Sequence, residues 1–249
     1  MPPFQHDAPD AEAAAAFAGR TVLAVVPARG GSRGIPRKNL CKVGGLSLVA
    51  RAARVARALP FDCAVLSTDD EEIAEEARRA GLSVPFLRPA EISGDRATAI
   101  DTWRHAWLAA ETHEGRRFDW SVLLEPTSPL RRPEDVVRTL QALRAAGTLG
   151  AMTVSASPGP VTPERTLCLA GDGRIRPFVP DGYSYTARQA IPPRYHRNGL
   201  AYAATREGVI EARDALWEDC VAVVIDRPVA NIDAPIDLDW AEFLLAREH

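Results

Sequence analysis

Lysine is nearly missing from this chain. Of 30 basic residues only Lys38 and Lys42 are lysine; the rest are arginine. A compact ammonium acts as a point charge on an anion, whereas a guanidinium asks for a planar, bidentate partner. A lysine kept in so arginine-biased a chain makes Lys38 a candidate phosphate contact. Cysteine is scarce as well: Cys41, Cys63, Cys168 and Cys220 are scattered, with no C-x-x-C pair. Strand-like surroundings at Cys63, Cys168 and Cys220 imply buried free thiols in a reducing cytoplasm. The five histidines, His6, His105, His113, His196 and His249, show no ligand spacing, although His196 lies in a segment of interest below. No Ser-His-Asp or Cys-His arrangement stands out as a nucleophilic site. No apolar run approaches membrane-spanning length, so no membrane partner is expected. The first 20 residues lack the basic start and apolar stretch of a signal peptide and read as a disordered tail. The net charge of −3 gives no reason to expect nucleic acid.

What is present is concentrated near the start, in Ala28-Arg-Gly-Gly-Ser-Arg-Gly-Ile-Pro-Arg-Lys-Asn-Leu40. This loop follows Val22–Val26, an apolar run that reads as a buried strand. Its Gly-Gly-Ser-Arg-Gly turn offers a row of backbone N–H groups, and Arg29, Arg33, Arg37 and Lys38 add four positive charges. Amide nests and cationic side chains both favour anions, so the loop suits a polyphosphate. It is neither a Walker A loop nor a G-x-G-x-x-G dinucleotide turn. The plainer alternative is a solvated basic glycine turn.

The 249 residues, 46% hydrophobic and 25% charged, suit one soluble α/β domain with an insertion. Strand and helix signals alternate. Strands are expected at 63–68, 84–87, 121–125 and 151–155. Helices are expected over 46–59, from Asp70 to Arg79, over 97–110 and from Pro133. From 157 to 198 prolines crowd both ends and Gly171-Asp-Gly173 reads as a hairpin turn, so an extended inserted arm is expected there. Regular pattern returns at 200–204 and 221–225, with a closing helix from about Pro235. The β–α alternation implies a mostly parallel sheet, with ligands beyond the strands' carboxyl ends. Residues 21–249 are expected to form a single domain around this sheet.

Six segments in order resemble one family. They are the Arg29–Asn39 loop; Ser67-Thr-Asp-Asp70; Leu87-Arg-Pro-Ala-Glu91; Leu124-Glu-Pro-Thr-Ser-Pro-Leu-Arg131; Arg188-Gln with Arg197-Asn-Gly199; and Asn231-Ile-Asp233. Together they are similar to the acylneuraminate cytidylyltransferases, across Val22 to Leu245. The resemblance implies a Rossmann-like nucleotidyltransferase fold, a CTP substrate, Mg²⁺ and a cytoplasmic homodimer whose arm reaches the partner. By position, Ala28, Arg29, Ser32, Asn39, Arg88 and Ala97 would hold the nucleotide. Arg29, Arg33 and Lys38 would stabilise the charge of the reacting phosphates. Glu125, Arg188, Arg197 and Asn198 would face an anionic acceptor, a sugar acid or phosphonate. Asp233, with Asn231, would hold the metal.

Two positions depart from the sialic acid pattern: Glu125 stands where Gln is usual, and Asn231-Ile-Asp233 where Asp-x-Asp is usual. An ionised Glu only accepts hydrogen bonds, so common sialic acid is a doubtful acceptor. One change adds a carboxylate and the other removes one, which raises mutual compensation as a hypothesis. Two other readings stay open. A sugar-nucleotide-dependent glycosyltransferase would use an Asp-x-Asp at a strand end, but Asp237-Leu-Asp239 falls in the closing helix and reads as solvated. A non-catalytic nucleotide-binding relative is the other.

Overall fold

A computed structural model describes residues 11–32, 34–94, 97–180, 182–184, 191–212 and 216–247. In chain order the elements are α1 (Ala11–Phe17), β1 (Val22–Pro27), β2 (Lys42–Val43), β3 (Leu46–Ser47), α2 (Leu48–Arg57), β4 (Cys63–Ser67), α3 (Glu71–Arg79), α4 (Ala99–Glu114) and β5 (Trp120–Leu123). Then come α5 (Pro133–Ala146), β6 (Gly150–Ala156), β7 (Leu167–Leu169), β8 (Ile175–Pro177), β9 (Tyr195–Thr205), β10 (Cys220–Val224) and α6 (Pro235–Leu245).

β1 is apolar throughout because both of its faces are covered. Val22, Ala24 and Val26 join a core with residues of α2, α3 and α5, while Leu23 and Val25 join a second core with Trp103 and Trp107 of α4. β4 and β5 flank β1 in parallel, in registers Val25↔Val65 and Val25↔Leu123. β9 pairs with β5 antiparallel, and the full order is β10-β6-β9-β5-β1-β4. The parallel strands β4, β1 and β5 thus end on one side, and that is where the cleft forms.

Helix starts follow local chemistry. The Ser47 hydroxyl accepts from the Ala50 N–H (3.0 Å) and caps α2. Asp70 Oδ1 accepts from the Glu72 and Ile73 N–H groups and caps α3, whose first turn is acidic and last turn basic. Thr98 caps α4 by accepting from Asp101, and Pro133 opens α5.

The chain divides into two compact units. The first comprises Met1–Thr153, Asn198–Val223 and Arg227–His249; the second comprises Val154–Arg197 with Val224–Asp226. The sequence expectation was one domain with an arm at 157–198. In the second unit β7 and β8 form an antiparallel hairpin around the Gly171–Gly173 turn, and Arg194 Nε donates to the buried Glu164 carboxylate at 2.8 Å. Leu167, Leu169, Ile175 and Phe178 are exposed.

Several expectations need correction. Residues 11–17, read as part of a disordered tail, form α1. Its Ala13, Ala16 and Phe17 are buried, and Arg144 of α5 donates to the Ala16 and Ala18 carbonyls. Residues 1–10 lie outside the described residues. The expected strand at 84–87 does not form. Pro85 lacks the N–H a ladder needs, and the backbone of the segment meets β4 and the residue after it at Ser83, bridged to Val65, and at the Arg88 N–H, which donates to the Thr68 carbonyl. The helix expected from Leu46 starts at Leu48, because Leu46 and Ser47 pair with Lys42 and Val43. Among the cysteines, Cys63 is buried and burial pushes its thiol up to about 12, whereas Cys168 is exposed, on a strand of the short hairpin. Among the described residues no helix is long and apolar enough to cross a membrane.

One side-chain bond joins α2 to α3: Ser47 Oγ donates to Glu76 Oε1 at 2.6 Å. This bond, and then Arg79, hold the Glu76 carboxyl below its ordinary value. A carboxyl lowered on folding adds stability above its unfolded pKa and loses it as pH falls through the folded one. Thermal unfolding should therefore show wild type more stable than Glu76→Gln at pH 7, by under about 1 kcal/mol for a part-exposed pair. The difference should vanish in acid below the lowered pKa. A gap that widens in acid would contradict this.

Candidate active site

Beyond the carboxyl ends of β1 and β5 lies a cleft of about 410 Å³. Its charged lining is Arg29, Lys38, Arg88, Glu125 and Asp233; Ser32, Asn39 and Ala97 also line it. Residues nearly 200 positions apart therefore share one space, and the fold explains how. Ile35 and Ile232 are buried in a small core of their own with Val43, Leu48, Leu130 and Ala241 of α6. That core draws the 28–40 loop and the 231–233 segment to the same wall. The Ile232 N–H donates to the Thr127 carbonyl (2.8 Å), which ties the segment to the turn after β5.

Lys38 bridges the two loops. Its Nζ donates to the Ile232 carbonyl at 2.8 Å and to Asp233 Oδ1 at 3.0 Å. An ammonium has three donors, so one N–H is left without a partner among the described residues. Lys38 opens a short 3₁₀ turn, Lys38–Leu40, entered through Arg37 at φ 53°. Arg37, counted in the sequence as part of the cationic cluster, turns to Asp70 (3.3 Å) and Glu72 (2.5 Å) and does not line the cleft. Asn39 is buried, and its Nδ2 donates to the Arg29 carbonyl at 2.9 Å, so it fixes the loop's entry. The Gly30 N–H donates to Asp69 Oδ1.

Arg88 is 7% exposed. It donates through Nε to Ser67 Oγ (3.1 Å) and through Nη2 to the Ser67 carbonyl (2.5 Å). Burial lowers its pKa to about 10; Asp69 opposes that shift and the nearby charge of Arg29 adds to it. Two cations face one cleft, and an anion between them would relieve their repulsion.

Arg131 is 6% exposed and does not line the cleft, but it holds the backbone of Glu125, which does; the sequence reading assigned it no role. Its Nη2 donates to the Glu125 carbonyl (2.6 Å) and the Gly199 carbonyl (3.1 Å), and its Nε to the Leu200 carbonyl. Burial lowers its pKa to about 10, against the attraction of Glu125 and Asp135. The available signal was its place at the end of the Leu124–Arg131 motif, but no spacing rule says that an arginine there turns inward.

Other expected site residues fall elsewhere. Ala28 is fully buried, and its N–H donates to the Ser67 carbonyl, so it supports the cleft without lining it. Asn198 does not face the cleft. Its Oδ1 accepts from Thr153 Oγ1 (2.6 Å) and the Leu200 N–H (3.2 Å), which makes it a buried brace of β9. Asn231 is exposed and outside the cleft lining. Arg197 is an exposed residue of the second unit. Arg33 and Arg188 lie outside the described residues. Asp237, read as solvated, accepts through Oδ2 from the Asp233 (2.8 Å) and Ala234 (2.7 Å) N–H groups and so starts α6.

Among the described residues no three of His, Cys, Asp and Glu converge as a protein-only metal site. Asp233 is nonetheless a hard oxygen donor on the cleft wall, 76% exposed, with Oδ2 unpartnered among the described residues. A single carboxylate of this kind suits Mg²⁺, which is usually held by one or two carboxylates and by substrate phosphates.

A β-carbon on Gly34 would collide with the Asp233 carbonyl oxygen, a backbone atom that cannot turn aside; one on Gly31 would meet nothing within 4 Å. Gly34→Ala is therefore expected to lower stability by about 1–3 kcal/mol, and Gly31→Ala to change it little. Denaturant unfolding of both variants checks this, and equal effects would refute the contact.

The pattern of the Cytidylyltransferase family matches residues 23–229. The chain is 30% identical over 224 residues to a CMP-N,N'-diacetyllegionaminic acid synthase of Legionella pneumophila, covering 88% of this chain and 93% of the relative. It is 29% identical over 231 residues to a pseudaminic acid cytidylyltransferase of Campylobacter jejuni, covering 91% and 97%. In fold it is similar to a CMP:2-keto-3-deoxy-manno-octonic acid synthetase solved with CTP. That likeness has a TM-score of 0.63 and 19% identity, and covers 92% of this chain and all of that one. The family match over most of the chain, together with a relative 30% identical over 88% of it, shows that this chain belongs to the cytidylyltransferase family, among the enzymes of the acylneuraminate type.

Proposed function

We propose that the cleft binds CTP and transfers its cytidine monophosphate to a sugar acid of the legionaminic or pseudaminic kind, releasing pyrophosphate. The observation that carries this is the meeting of Arg29, Lys38, Arg88, Glu125 and Asp233 on one cleft in a chain of this family. An acceptor hydroxyl oxygen attacks the α-phosphorus. The new P–O bond forms as the bond from the α-phosphorus to the bridging oxygen breaks; pyrophosphate leaves with that oxygen and its electron pair, and the hydroxyl proton passes to solvent. Such transfer is mainly positioning and charge neutralisation.

The roles follow from placement. Lys38, with its spare N–H, and Arg29 would meet the triphosphate, and Arg33 is proposed for the same task from its place in the loop. Asn39 holds the Arg29 backbone in position. Arg88 and Ala97, with Ser32, would line the nucleoside end. Asp233 would hold Mg²⁺, whose charge would neutralise the phosphates; the remoteness of Asn231 from the cleft supports Asp233 as the principal ligand. The glycosyltransferase alternative loses its carboxylate pair, because Asp237 is committed to the start of α6. A homodimer is part of the reading, supported by the apolar residues exposed on the second unit. A cytoplasmic setting is supported by free thiols at Cys41, Cys63, Cys168 and Cys220.

The metal role predicts a ranking. Asp233→Asn should lower turnover by about 10²–10³, Asn231→Ala far less, and chelator should abolish pyrophosphate release. Activity surviving in chelator, or the reverse ranking, would place the metal elsewhere.

The acceptor is tested by pyrophosphate release from CTP and Mg²⁺ with N,N'-diacetyllegionaminic, pseudaminic and N-acetylneuraminic acids. One of the first two is expected to be turned over best, since relatives 30% and 29% identical to this chain are named for those acids, and a carboxylate at Glu125 accepts from substrate donors where the three acids differ. Glu125→Gln should lower activity on that acceptor and narrow the gap to N-acetylneuraminic acid. Efficient turnover of N-acetylneuraminic acid by the wild type would refute the specificity while leaving cytidylyl transfer intact.

A further inference from the structure

A buried cation is expensive unless an anion or several acceptors compensate it. Arg131 has no carboxylate at salt-bridge distance among the described residues; it has three backbone carbonyls. Asp135, one of the two carboxylates acting on it from farther off, is already bound to Arg227 at 2.5 Å and to the Arg132 N–H at 2.8 Å. Glu125 is the other. The guanidinium therefore grips the Glu125 backbone while the Glu125 side chain attracts it from farther off.

The second strand it grips meets Glu125 again. Gly199 has φ +74°, and a β-carbon there would lie 3.0 Å from Glu125 Oε2 and collide with Ser128 Oγ. Ser128 Oγ in turn donates to the Asn198 carbonyl at 3.2 Å. Glu125 thus stands between a bare glycine and a rigid planar donor that fastens both backbones. The triphosphate side has separate fastenings: Asn39 to Arg29, Lys38 to Ile232 and Arg88 to Ser67.

We propose that Arg131 is a positioning residue for the acceptor half of the reaction, holding Glu125 at its place in the cleft by fastening the Glu125 and Gly199 backbones. This rests on the reading of Glu125 as acceptor-facing. Lysine at 131 would keep the charge, but a single nitrogen lacks the planar fork that spans three carbonyls. In Arg131→Lys, the KM for N,N'-diacetyllegionaminic acid should rise about tenfold or more, the scale of a misplaced supporting contact, while the KM for CTP changes by less than about twofold. Gly199→Ala, which presses on Glu125 from the other side, should show the same split. Amide exchange at Thr127, Ser128 and Leu200 should accelerate in Arg131→Lys, with Lys38 and Asn39 unchanged. Equal changes in the two KM values, an unmoved acceptor KM, unchanged exchange, or loss of cooperative unfolding in Arg131→Lys would each overturn the proposal. If the wild type releases no pyrophosphate with this acceptor, the acceptor reading fails instead, and the exchange comparison alone decides for or against Arg131.

Discussion

The cleft depends on a place where a side chain will not fit. The loop after β1 and the segment before α6 press together at Gly34 and the Asp233 carbonyl, and even a methyl group would part them. Everything else on that wall follows from the approach. Ile35 and Ile232 share one small core, Lys38 reaches the Ile232 carbonyl and the Asp233 carboxylate, and Asp237 holds the Asp233 N–H from behind. A residue near the chain's end becomes part of a loop near its start. Without that closeness, Lys38 and Asp233 would be two solvated charges; with it they form an ion pair on the wall of the cleft.

The two buried arginines divide the electrostatic work. Both have pKa values lowered to about 10 by burial, yet their surroundings differ. Arg88 faces the same cleft as a second cation, Arg29, which pushes against it while Asp69 pulls the other way, and an anion bound between the two arginines would relieve their repulsion. Arg131 has Glu125 and Asp135 pulling on it, and its Nε and Nη2 are taken up by three backbone carbonyls. The first arrangement is suited to binding, the second to holding something still.

The fold and the cationic loop were legible because their signals are local. Apolar runs with both faces covered read as strands, Asp70 and Pro133 announce helices, and a glycine-rich basic turn after a strand marks the loop that the fold sets on the cleft. What was illegible depended on which way a side chain turns. Arg37 and Arg29 look alike in the sequence, but Arg37 is taken up by Asp70 and Glu72 at the start of α3. Asn198 matches a family position, yet its amide braces Thr153 and Leu200. Arg131 lies at the end of a quoted motif, and only the tertiary contact with β9 reveals its task. Helix α1 was missed because an alanine-rich segment has little amphipathic contrast, and its stability comes from packing on α5.

The two departures from the sialic acid pattern also separate once they are placed in space. Conservation of site charge between Glu125 and Asn231 would require both to act on the same volume. Glu125 lines the cleft; Asn231 is exposed and does not. Arg131 is fixed by three carbonyls, one of them that of Glu125, and the charges of Arg131 and Glu125 attract each other without direct contact. The acidic residue at 125 is therefore a feature of its own wall of the cleft, beside the backbone that Arg131 fastens. Asp233, on the wall built by the 231–233 segment, is held by different contacts, so the two carboxylates of the cleft lining can vary independently.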